Sequence, residues 1–341
     1  MSVWIGLDIG GANLKAADGR GWCQNLPFAL WREPERLSAA LAELLRIAPD
    51  VDGVAVTMTG ELADCFETKA AGVESILTAV SEAITIVGNR CTLRVYRTDG
   101  SLVEMSVARR EPLAVAAANW HAIAEFACRY VTARAALLLD LGSTTCDLIP
   151  LVDREPAARG RTDPDRLVGG ELVYTGVVRS PVCALVSELP WRGRQCRVAQ
   201  EVFATTRDAY LLLADMSESG NDTNTADGRA ATRPFAHDRL ARQICADRTL
   251  FGMADALAAA AAVKQAQLAL LSDALAQLRG GDGAEVLQVV ISGQGEFLLR
   301  ELLAAEMPNA EILSLAERLG PGASQAAAAH ALAVLAAERF S

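Results

Sequence analysis

Two apolar segments, each interrupted by a short polar turn, form the strongest pattern in the chain. The first covers Ile5–Ala16 and turns at Gly10–Asn13; the second covers Ala135–Leu151 and turns at Gly142–Thr145. Apolar runs on both sides of a Gly-containing turn are typical of β-hairpins. One such hairpin is a common structural turn, but these two share the same spacing of Asp, Gly and small polar residues. The sequence therefore predicts that one strand–turn–strand unit occurs twice.

Apolar spacing in the remaining chain predicts alternating strands and helices. The predicted strands are Val51–Met58, Leu93–Thr98, Leu102–Val103, a further strand position at Val107, Val182–Leu189, Arg197–Phe203, Val286–Ile291 and Glu311–Leu315. The predicted helices are Glu35–Ile47, Lys69–Val87, Glu111–Val131, Thr205–Leu213, Asp238–Ala246, Ala254–Leu278 and Ala323–Arg339. Residues 153–166 and 215–233 are predicted loops, the latter a lid or a disordered segment. The turn Gly280-Gly281-Asp282-Gly283 is expected to end the long Ala-rich helix.

The order of these elements predicts an α/β fold in which one layout is duplicated, with a cleft between the halves. A length of 341 residues suits two domains. We place the first domain at residues 1–134 and the second at 135–322. We expect the C-terminal helix, residues 323–341, to pack back on the first domain.

Composition excludes several classes of function. The chain has 32 basic and 42 acidic residues and a net charge of −10, which argues against sequence-independent nucleic-acid binding. Its eight Cys form no Cys-x-x-Cys pair, and its three His are far apart, so neither a zinc site nor a disulfide framework is indicated. No apolar run is long enough to span a membrane, and no basic leader precedes Val3. We expect a soluble, cytoplasmic protein without a membrane partner.

Both polar turns have the chemistry of an anion-binding site. Gly allows successive backbone N–H groups to point into one concavity, and such a nest holds phosphate oxygens. Ser143, Thr144 and Thr145 add hydroxyl donors. Asp8 and Asp140, at the ends of the leading strands, could hold Mg²⁺ directly or through water. Two such turns that face each other would bind a diphosphate or triphosphate from both sides.

The segment Thr57–Phe66 is a further candidate because it follows a buried strand, where α/β proteins often place ligands. It contains Thr59, Glu61 and Asp64. The same residues are explained almost as well by a helix start in which Thr59 is the N-cap and acids fill the first turn.

Two Gly-containing segments later in the chain are weaker candidates. Glu171 follows a Gly pair in Gly169–Val177 and could approach a ligand, although a loop-to-helix start explains it nearly as well. Gly293 and Gly295 follow a predicted strand and permit close backbone approach to a ligand. The third Gly of a dinucleotide-binding fingerprint is missing, which excludes a Rossmann assignment. Trp120 and His121 could line a pocket, but a packing role is favoured.

At this point the sequence resembles a known family. The two turns and Ser292–Gly295 are similar to the three nucleotide-contacting motifs of the acetate and sugar kinase, Hsp70 and actin superfamily. The match is closer to one branch, the hydantoinase/oxoprolinase-like proteins linked to tetrahydromethanopterin-dependent one-carbon transfer. The matching segments are Trp4–Lys15, Thr57–Phe66, Ala118–His121, Asp140–Pro150, Gly169–Val177, Phe203–Thr206 and Thr225–Arg229. The resemblance implies duplicated ribonuclease-H-like domains.

The resemblance also implies a transferase of methanofuran or methylofuran biosynthesis. An archaeal member of the family joins an (aminomethyl)furanylmethyl diphosphate to the phenol of γ-glutamyltyramine and releases diphosphate. The implied metal-side residues are Asp8 and Asp140, with Mg²⁺ as the cofactor. The implied ligand-binding residues are Gly10, Gly11, Asn13, Lys15, Thr59, Gly142, Ser143, Thr144, Thr145, Glu171, Gly293 and Gly295. A phenol has a pKa near 10 and needs a base, for which Glu61, Asp64 and Asp147 remain candidates.

Two alternatives remain open at the level of sequence. The same turns could serve an ATP-dependent kinase or a hydantoinase-like enzyme, or a nucleotide sensor that does not turn over its ligand. In the favoured interpretation, the protein is a transferase that acts on small-molecule substrates and does not require ATP. The abundance of Arg and Ala suggests a bacterial version, in which tyrosine could replace tyramine as the phenol. The oligomeric state is left open, and a homo-oligomer is compatible with the sequence.

Overall fold

The computed structural model of the chain describes residues 2–49, 51–88, 91–279 and 286–340. The turn expected at Gly280-Gly281-Asp282-Gly283 lies outside the described residues, as does the last residue, Ser341. The strand expected from Val286 starts directly after the gap at residues 280–285. Two mixed β-sheets and the helices that cover them account for most of the described chain.

The strands are β1 (Trp4–Ile9), β2 (Asn13–Ala17), β3 (Cys23–Pro27), β4 (Gly53–Met58), β5 (Thr92–Tyr96), β6 (Leu102–Val103), β7 (Ala135–Leu141), β8 (Cys146–Val152), β9 (Glu155–Pro156), β10 (Leu172–Val173), β11 (Glu188–Trp191), β12 (Arg194–Arg197), β13 (Gln288–Ser292) and β14 (Glu311–Ser314).

The helices are α1 (Leu37–Ile47), α2 (Lys69–Ile86), α3 (Met105–Arg110), α4 (Pro112–Val115), α5 (Asn119–Ala127), α6 (Asp163–Gly169), α7 (Val182–Leu185), α8 (Thr206–Leu213), α9 (Arg233–Arg242), α10 (Met253–Arg279), α11 (Glu296–Glu306), α12 (Leu315–Leu319), α13 (Pro321–Gln325) and α14 (Ala327–Arg339). Short 3₁₀ turns precede α1 and follow α5.

The two sheets repeat one topology, which confirms the predicted duplication. The first has the order β3-β2-β1-β4-β5-β6, and the second has the order β10-β8-β7-β13-β14 with β9 beside β8. In each sheet the leading strand pairs antiparallel with the next strand and parallel with the strand on its other side. The fold therefore consists of two ribonuclease-H-like units. The four central strands β1, β4, β7 and β13 are almost completely buried, which accounts for their continuous apolar runs.

The second unit carries an insertion between β10 and β13. It contains the β11–β12 hairpin and helices α7 to α10. These elements share an apolar core of their own, which includes Leu211, Leu212 and Phe251. The polar segment 215–233 belongs to this insertion. It is held by ion pairs rather than left free: Asp227 contacts Arg239, whose side chain is fully buried.

A shared apolar core joins the two units. It combines residues of the first sheet, such as Trp4, and of the second sheet, such as Leu138, with the apolar faces of α5 and α14. Helix α14 packs against β1, and the approach is close because position 6 is Gly. A Cβ at Gly6 would lie 1.9 Å from the carbonyl oxygen of Ala329.

Several predicted elements are wrong in detail. The single helix expected over Glu111–Val131 is broken, because Ala116 forms an isolated parallel bridge with Met58 and Ala117 has a φ of 48°. Val107 lies in α3 rather than in a strand. Helix α14 starts later than Ala323, after the separate helix α13.

The insertion contains the other errors. The strand expected over Val182–Leu189 begins as helix α7, and only its end joins β11. The strand expected over Arg197–Phe203 ends at its first residue. Short apolar runs do not distinguish strand from helix by periodicity. The loop expected over 153–166 contains β9 and the start of α6.

None of the described helices is both long enough and apolar enough to cross a membrane.

Candidate active site

The first polar turn connects β1 to β2. The N–H of Gly10 donates to the carbonyl oxygen of Asn13 at 3.0 Å, which closes the turn. Asp8 and Lys15 are directly opposite each other on the two strands, and Lys15 Nζ lies 3.6 Å from Asp8 Oδ2. The backbone of Thr59 is tied to the same hairpin, since its N–H donates to the carbonyl oxygen of Ile9 at 3.0 Å.

The second polar turn has the same construction. The N–H of Gly142 donates to the carbonyl oxygen of Thr145 at 2.9 Å, and Asp140 and Asp147 are directly opposite each other on β7 and β8. Asp147 thus takes the place that Lys15 has in the first turn. The correspondence extends from sequence spacing to hydrogen bonding, so the two turns are structural equivalents.

The two turns face each other across one cleft of about 550 Å³. Fourteen of the residues proposed from the sequence line it: Asp8, Gly10, Gly11, Asn13, Lys15, Thr59, Glu61, Asp64, Asp140, Gly142, Ser143, Thr144, Thr145 and Asp147. The structure therefore brings together residues from β1, the segment after β4, and β7–β8. This is the site geometry that a ligand held from both sides requires.

Two acidic side chains of the cleft, Asp8 and Asp140, have raised pKa values. Asp8 is 5 % exposed, and burial raises the pKa of its carboxyl above the ordinary value although the charge of Lys15 opposes the shift. Burial, followed by the charge of Asp147, raises the pKa of Asp140 to about 7. Two carboxylates that resist ionisation together favour the binding of a cation at this site.

Arg166 neutralises Asp147. Its Nη2 donates to Asp147 Oδ1 at 2.5 Å, and its guanidinium lies 4.3 Å from the ring centroid of Trp120. Both charged groups are buried. Burial raises the pKa of Asp147 while the charge of Arg166 lowers it. The ion pair and the aromatic face hold Asp147 in one orientation.

Glu61 has a different environment. It is 1 % exposed and lines the cleft, and its Oε2 has no hydrogen-bond partner. Lys69 Nζ lies 4.0 Å from its Oε1 and 2.8 Å from Asp163 Oδ2, so Lys69 links α2 to α6. Burial raises the pKa of Glu61 to about 7, against the charge of Lys69, and the charge of Asp163 raises it as well.

A buried polar network supports the second turn from behind. A Cβ on Gly176 would lie 2.3 Å from Thr144 N, so the segment that follows β10 packs directly on the turn. The N–H of Arg179 donates to the carbonyl oxygen of Ser143 at 3.0 Å. Gln267 Nε2 on α10 donates to the carbonyl oxygen of Gly176 at 2.9 Å. The shape of the turn is thus fixed by contacts far away in sequence.

Three proposed residues lie outside the main cleft. Glu171 is buried, and its carboxylate accepts hydrogen bonds from the N–H groups of Arg159 and Gly160 at 2.6 and 2.8 Å, so it anchors the preceding loop. Gly295 packs on Leu141, whose side chain fills the space of a Cβ. Gly293 lines a recess of about 50 Å³ whose lining also includes Asp8 and Asp140.

Trp120 and His121 do not line the cleft, in agreement with the packing role favoured for them. Trp120 packs under Arg166, and His121 Nδ1 lies 2.9 Å from the hydroxyl of Tyr96. Their neighbour Asn119 does line the cleft. Sequence reasoning also missed other cleft residues: Trp31, Asp163, Arg166, Tyr174 and Arg179. Tyr174 lies within the candidate segment Gly169–Val177 but was not singled out, and no local motif marks the other four.

The donor set at the base of the cleft fits a hard divalent cation. Asp8 Oδ1 is buried without a hydrogen-bond partner, and Asp140 lines the same cleft. Within the described ranges, no group of three or more His, Cys, Asp or Glu side chains is arranged to hold a metal ion. Two carboxylates completed by water and phosphate oxygens are a coordination that Mg²⁺ accepts and that zinc sites do not use.

The fold and the facing turns define the class: this is a protein of two ribonuclease-H-like units with a cleft lined by both. A nucleotide-free structure of acetone carboxylase, from work on ATP-dependent acetone carboxylation, has the same fold with a TM-score of 0.54 and 11 % identity. That similarity covers 97 % of this chain and 70 % of the other.

Within that class, the chain belongs to the hydantoinase/oxoprolinase family, whose model matches residues 52–339. It is 33 % identical to (4-{4-[2-(γ-L-glutamylamino)ethyl]phenoxymethyl}furan-2-yl)methanamine synthase of Methanocaldococcus jannaschii, over 97 % of this chain and 96 % of that protein. It is 29 % identical to the protein of the same name from Methanococcus vannielii, over 58 % of this chain and 89 % of that protein. Both relatives are synthases, which indicates that this chain is an enzyme.

Proposed function

We propose that the protein is a transferase of methanofuran or methylofuran biosynthesis. It would join an (aminomethyl)furanylmethyl diphosphate to a tyramine- or tyrosine-type phenol, with formation of an aryl ether and release of diphosphate. The observation that carries the proposal is the pair of equivalent turns facing each other across one cleft, with Asp8 and Asp140 at its base. The similarity to the two archaeal synthases along most of the chain supports the substrate class.

The volume of the main cleft is compatible with a diphosphate ester. The cleft in front of the turns measures about 550 Å³, which suits a small ligand. The Gly293 turn, which resembles the third nucleotide-contacting motif, lines a recess of about 50 Å³ that shares Asp8 and Asp140 with the main cleft. Glu61 and Asp64 line the main cleft, so an acceptor bound there would lie near them.

The structure favours Glu61 over the other two candidates for the base. Asp147 is committed to its ion pair with Arg166, and Asp64 is exposed to solvent. Glu61 lines the cleft with a free oxygen and a pKa of about 7. A carboxylate with this pKa is far better matched to a phenol than an ordinary one, because base strength increases with pKa.

The proposed reaction exchanges one carbon–oxygen bond for another. The phenolic oxygen bonds to the furanylmethyl carbon, and the bond from that carbon to diphosphate breaks with its electron pair leaving on diphosphate. The phenolic proton passes to Glu61. Backbone N–H groups of the two turns and the hydroxyls of Ser143, Thr144 and Thr145 bind the phosphate oxygens. Bound Mg²⁺, held by Asp8 and Asp140, would neutralise charge on the leaving group.

Diphosphate release tests the proposal directly. Purified protein with Mg²⁺, a furanylmethyl diphosphate and a panel of phenols, without ATP, should release diphosphate and form the ether. Asp8→Asn and Asp140→Asn should lower the rate by about 100-fold or more, because each removes a metal-side charge. An exposed carboxylate outside the cleft, Glu82→Gln, is the matched control and should leave the rate unchanged.

Absence of ether with every phenol, followed by ADP formation when ATP is added, would overturn the proposal. That result would favour the ATP-dependent kinase or hydantoinase-like alternative.

A further inference from the structure

Three basic residues line the cleft in the part of the chain that the structure describes: Lys15, Arg166 and Arg179. Lys15 is paired with Asp8, and Arg166 with Asp147. Arg179 has no carboxylate within ion-pair distance among the described residues, and its side chain is exposed to the cleft. It is therefore the lining cation whose charge the protein leaves available to a ligand.

The position of Arg179 is fixed relative to the second turn. The N–H of Arg179 and that of Val178 both donate to the carbonyl oxygen of Ser143, at 3.0 and 3.1 Å. The preceding Gly176 packs on the backbone of Ser143 and Thr144. The backbone from which the guanidinium extends is thus rigidly attached to the proposed phosphate-binding loop.

The aromatic partner of Arg179 lies in the segment that follows β3 and is hydrogen-bonded to the first turn. Its guanidinium carbon lies 5.5 Å from the ring centroid of Trp31, a cation–π contact. Trp31 follows Leu30, whose N–H donates to the carbonyl oxygen of Gly11 at 3.0 Å. The Trp31–Arg179 contact, between two residues that line the cleft, therefore connects the segments that support the two turns.

We propose that Arg179, oriented by Trp31, is a diphosphate-binding residue that closes the cleft over the leaving group. The inference rests on the proposed function and assigns a role to a residue that the sequence pattern does not mark. A guanidinium can donate two parallel hydrogen bonds to phosphate oxygens, and stacking on an indole face leaves its edge free for them. Loss of diphosphate would then require Arg179 to separate from the phosphate.

Binding of inorganic diphosphate, measured by titration calorimetry in the presence of Mg²⁺, tests the inference on the full chain. Arg179→Ala should raise the dissociation constant by about 10-fold or more, as expected for the loss of hydrogen bonds to a charged group. The dissociation constant of Arg179→Lys should lie between those of the unmodified protein and Arg179→Ala, because Lys keeps the charge and loses the two parallel hydrogen bonds. Trp31→Leu should weaken binding less than Arg179→Ala.

Arg32→Ala is the matched control. Arg32 also contacts the indole of Trp31, at 6.0 Å from the ring centroid, but it does not line the cleft. Its removal should leave diphosphate binding unchanged. Thermal unfolding of each variant checks that the fold is retained.

The outcomes separate this inference from the proposed function. If the unmodified protein binds diphosphate and Arg179→Ala binds it equally well, the role of Arg179 is wrong and the proposed function stands. If the unmodified protein does not bind diphosphate with Mg²⁺, the proposed function fails, and this inference fails with it.

Discussion

At the scale of single residues, two neighbouring charges of opposite sign act on the pKa of Glu61, the base that we propose. Lys69 lies between Glu61 and Asp163, and its charge favours the ionised form of Glu61, whereas the charge of Asp163 disfavours it. If Glu61 accepts a proton from the acceptor, activity requires its ionised form. The rate should therefore rise with pH through a pKa of about 7.

Substitution of the two neighbours should move this pH profile in opposite directions. Lys69→Met removes a positive charge, raises the pKa of Glu61 and shifts the rising limb to higher pH. Asp163→Asn removes a negative charge and shifts it to lower pH. The shift should be larger for Lys69→Met, because the charge of Lys69 has a larger effect on the pKa of Glu61 than that of Asp163.

The measurement is the pH dependence of kcat/KM for the two variants. Glu61→Gln is the control, and it should abolish the rise of kcat/KM with pH. Shifts of both variants in the same direction would contradict the assignment of the base.

Residues of the candidate site differ in how far they can be predicted from the sequence. The two turns are predictable because Gly and hydroxyl residues are required at adjacent positions of a tight hairpin. Arg166 and Arg179 are not predictable, because their roles depend on contacts with Trp120 and Trp31, which are distant in the sequence. Glu171 was placed in the site from its proximity to a Gly pair, but its carboxylate is used by backbone N–H groups of a neighbouring loop.

At the scale of elements, the fit of α14 on β1 depends on Gly6. A Cβ at this position would lie 1.9 Å from Ala329 O and 2.8 Å from Ala329 C, and both atoms belong to helix backbone that cannot rotate away. Gly6→Ala should therefore lower the free energy of unfolding by about 3 kcal/mol or more, at the upper end of overpacking effects.

Urea unfolding measures this change. Gly220→Ala is the control, because no atom lies within 4 Å of its Cβ position and its φ is not positive. Equal stability of the two variants would show that α14 does not pack as described.

The elements themselves were predictable to different degrees. The hairpins and the long helices α2 and α10 follow from local periodicity and are confirmed to within a few residues. The break between α4 and α5 was missed, since it arises from a bridge between Ala116 and Met58 in another part of the chain. The short apolar run at α7 reads equally well as a strand, and only its packing in the insertion decides the outcome.

At the scale of the whole molecule, the shared core predicts cooperative unfolding. Leu332 on α14 is fully buried in the core that also contains Trp4 of the first sheet and Leu138 of the second. Neither sheet can lose this core without exposing the other. We therefore expect a single calorimetric transition despite the duplicated architecture.

Leu332→Ala should lower the stability of the entire molecule by about 2–5 kcal/mol, as for other buried Leu residues. Differential scanning calorimetry should show one peak that moves to lower temperature. Two separate peaks, of which only one moves, would mean that the units unfold independently.

The same helix has a consequence for synthesis of the chain on the ribosome. The strand β1 is synthesised long before helix α14, which spans Ala327–Arg339 and covers one face of β1. The face of β1 that packs against α1 and α2 can be covered early, but the face that packs against α14 stays uncovered until that helix has been synthesised. We therefore expect the nascent chain to bind chaperones that hold unfolded segments. We expect it to become resistant to proteases only after α14 has left the ribosome.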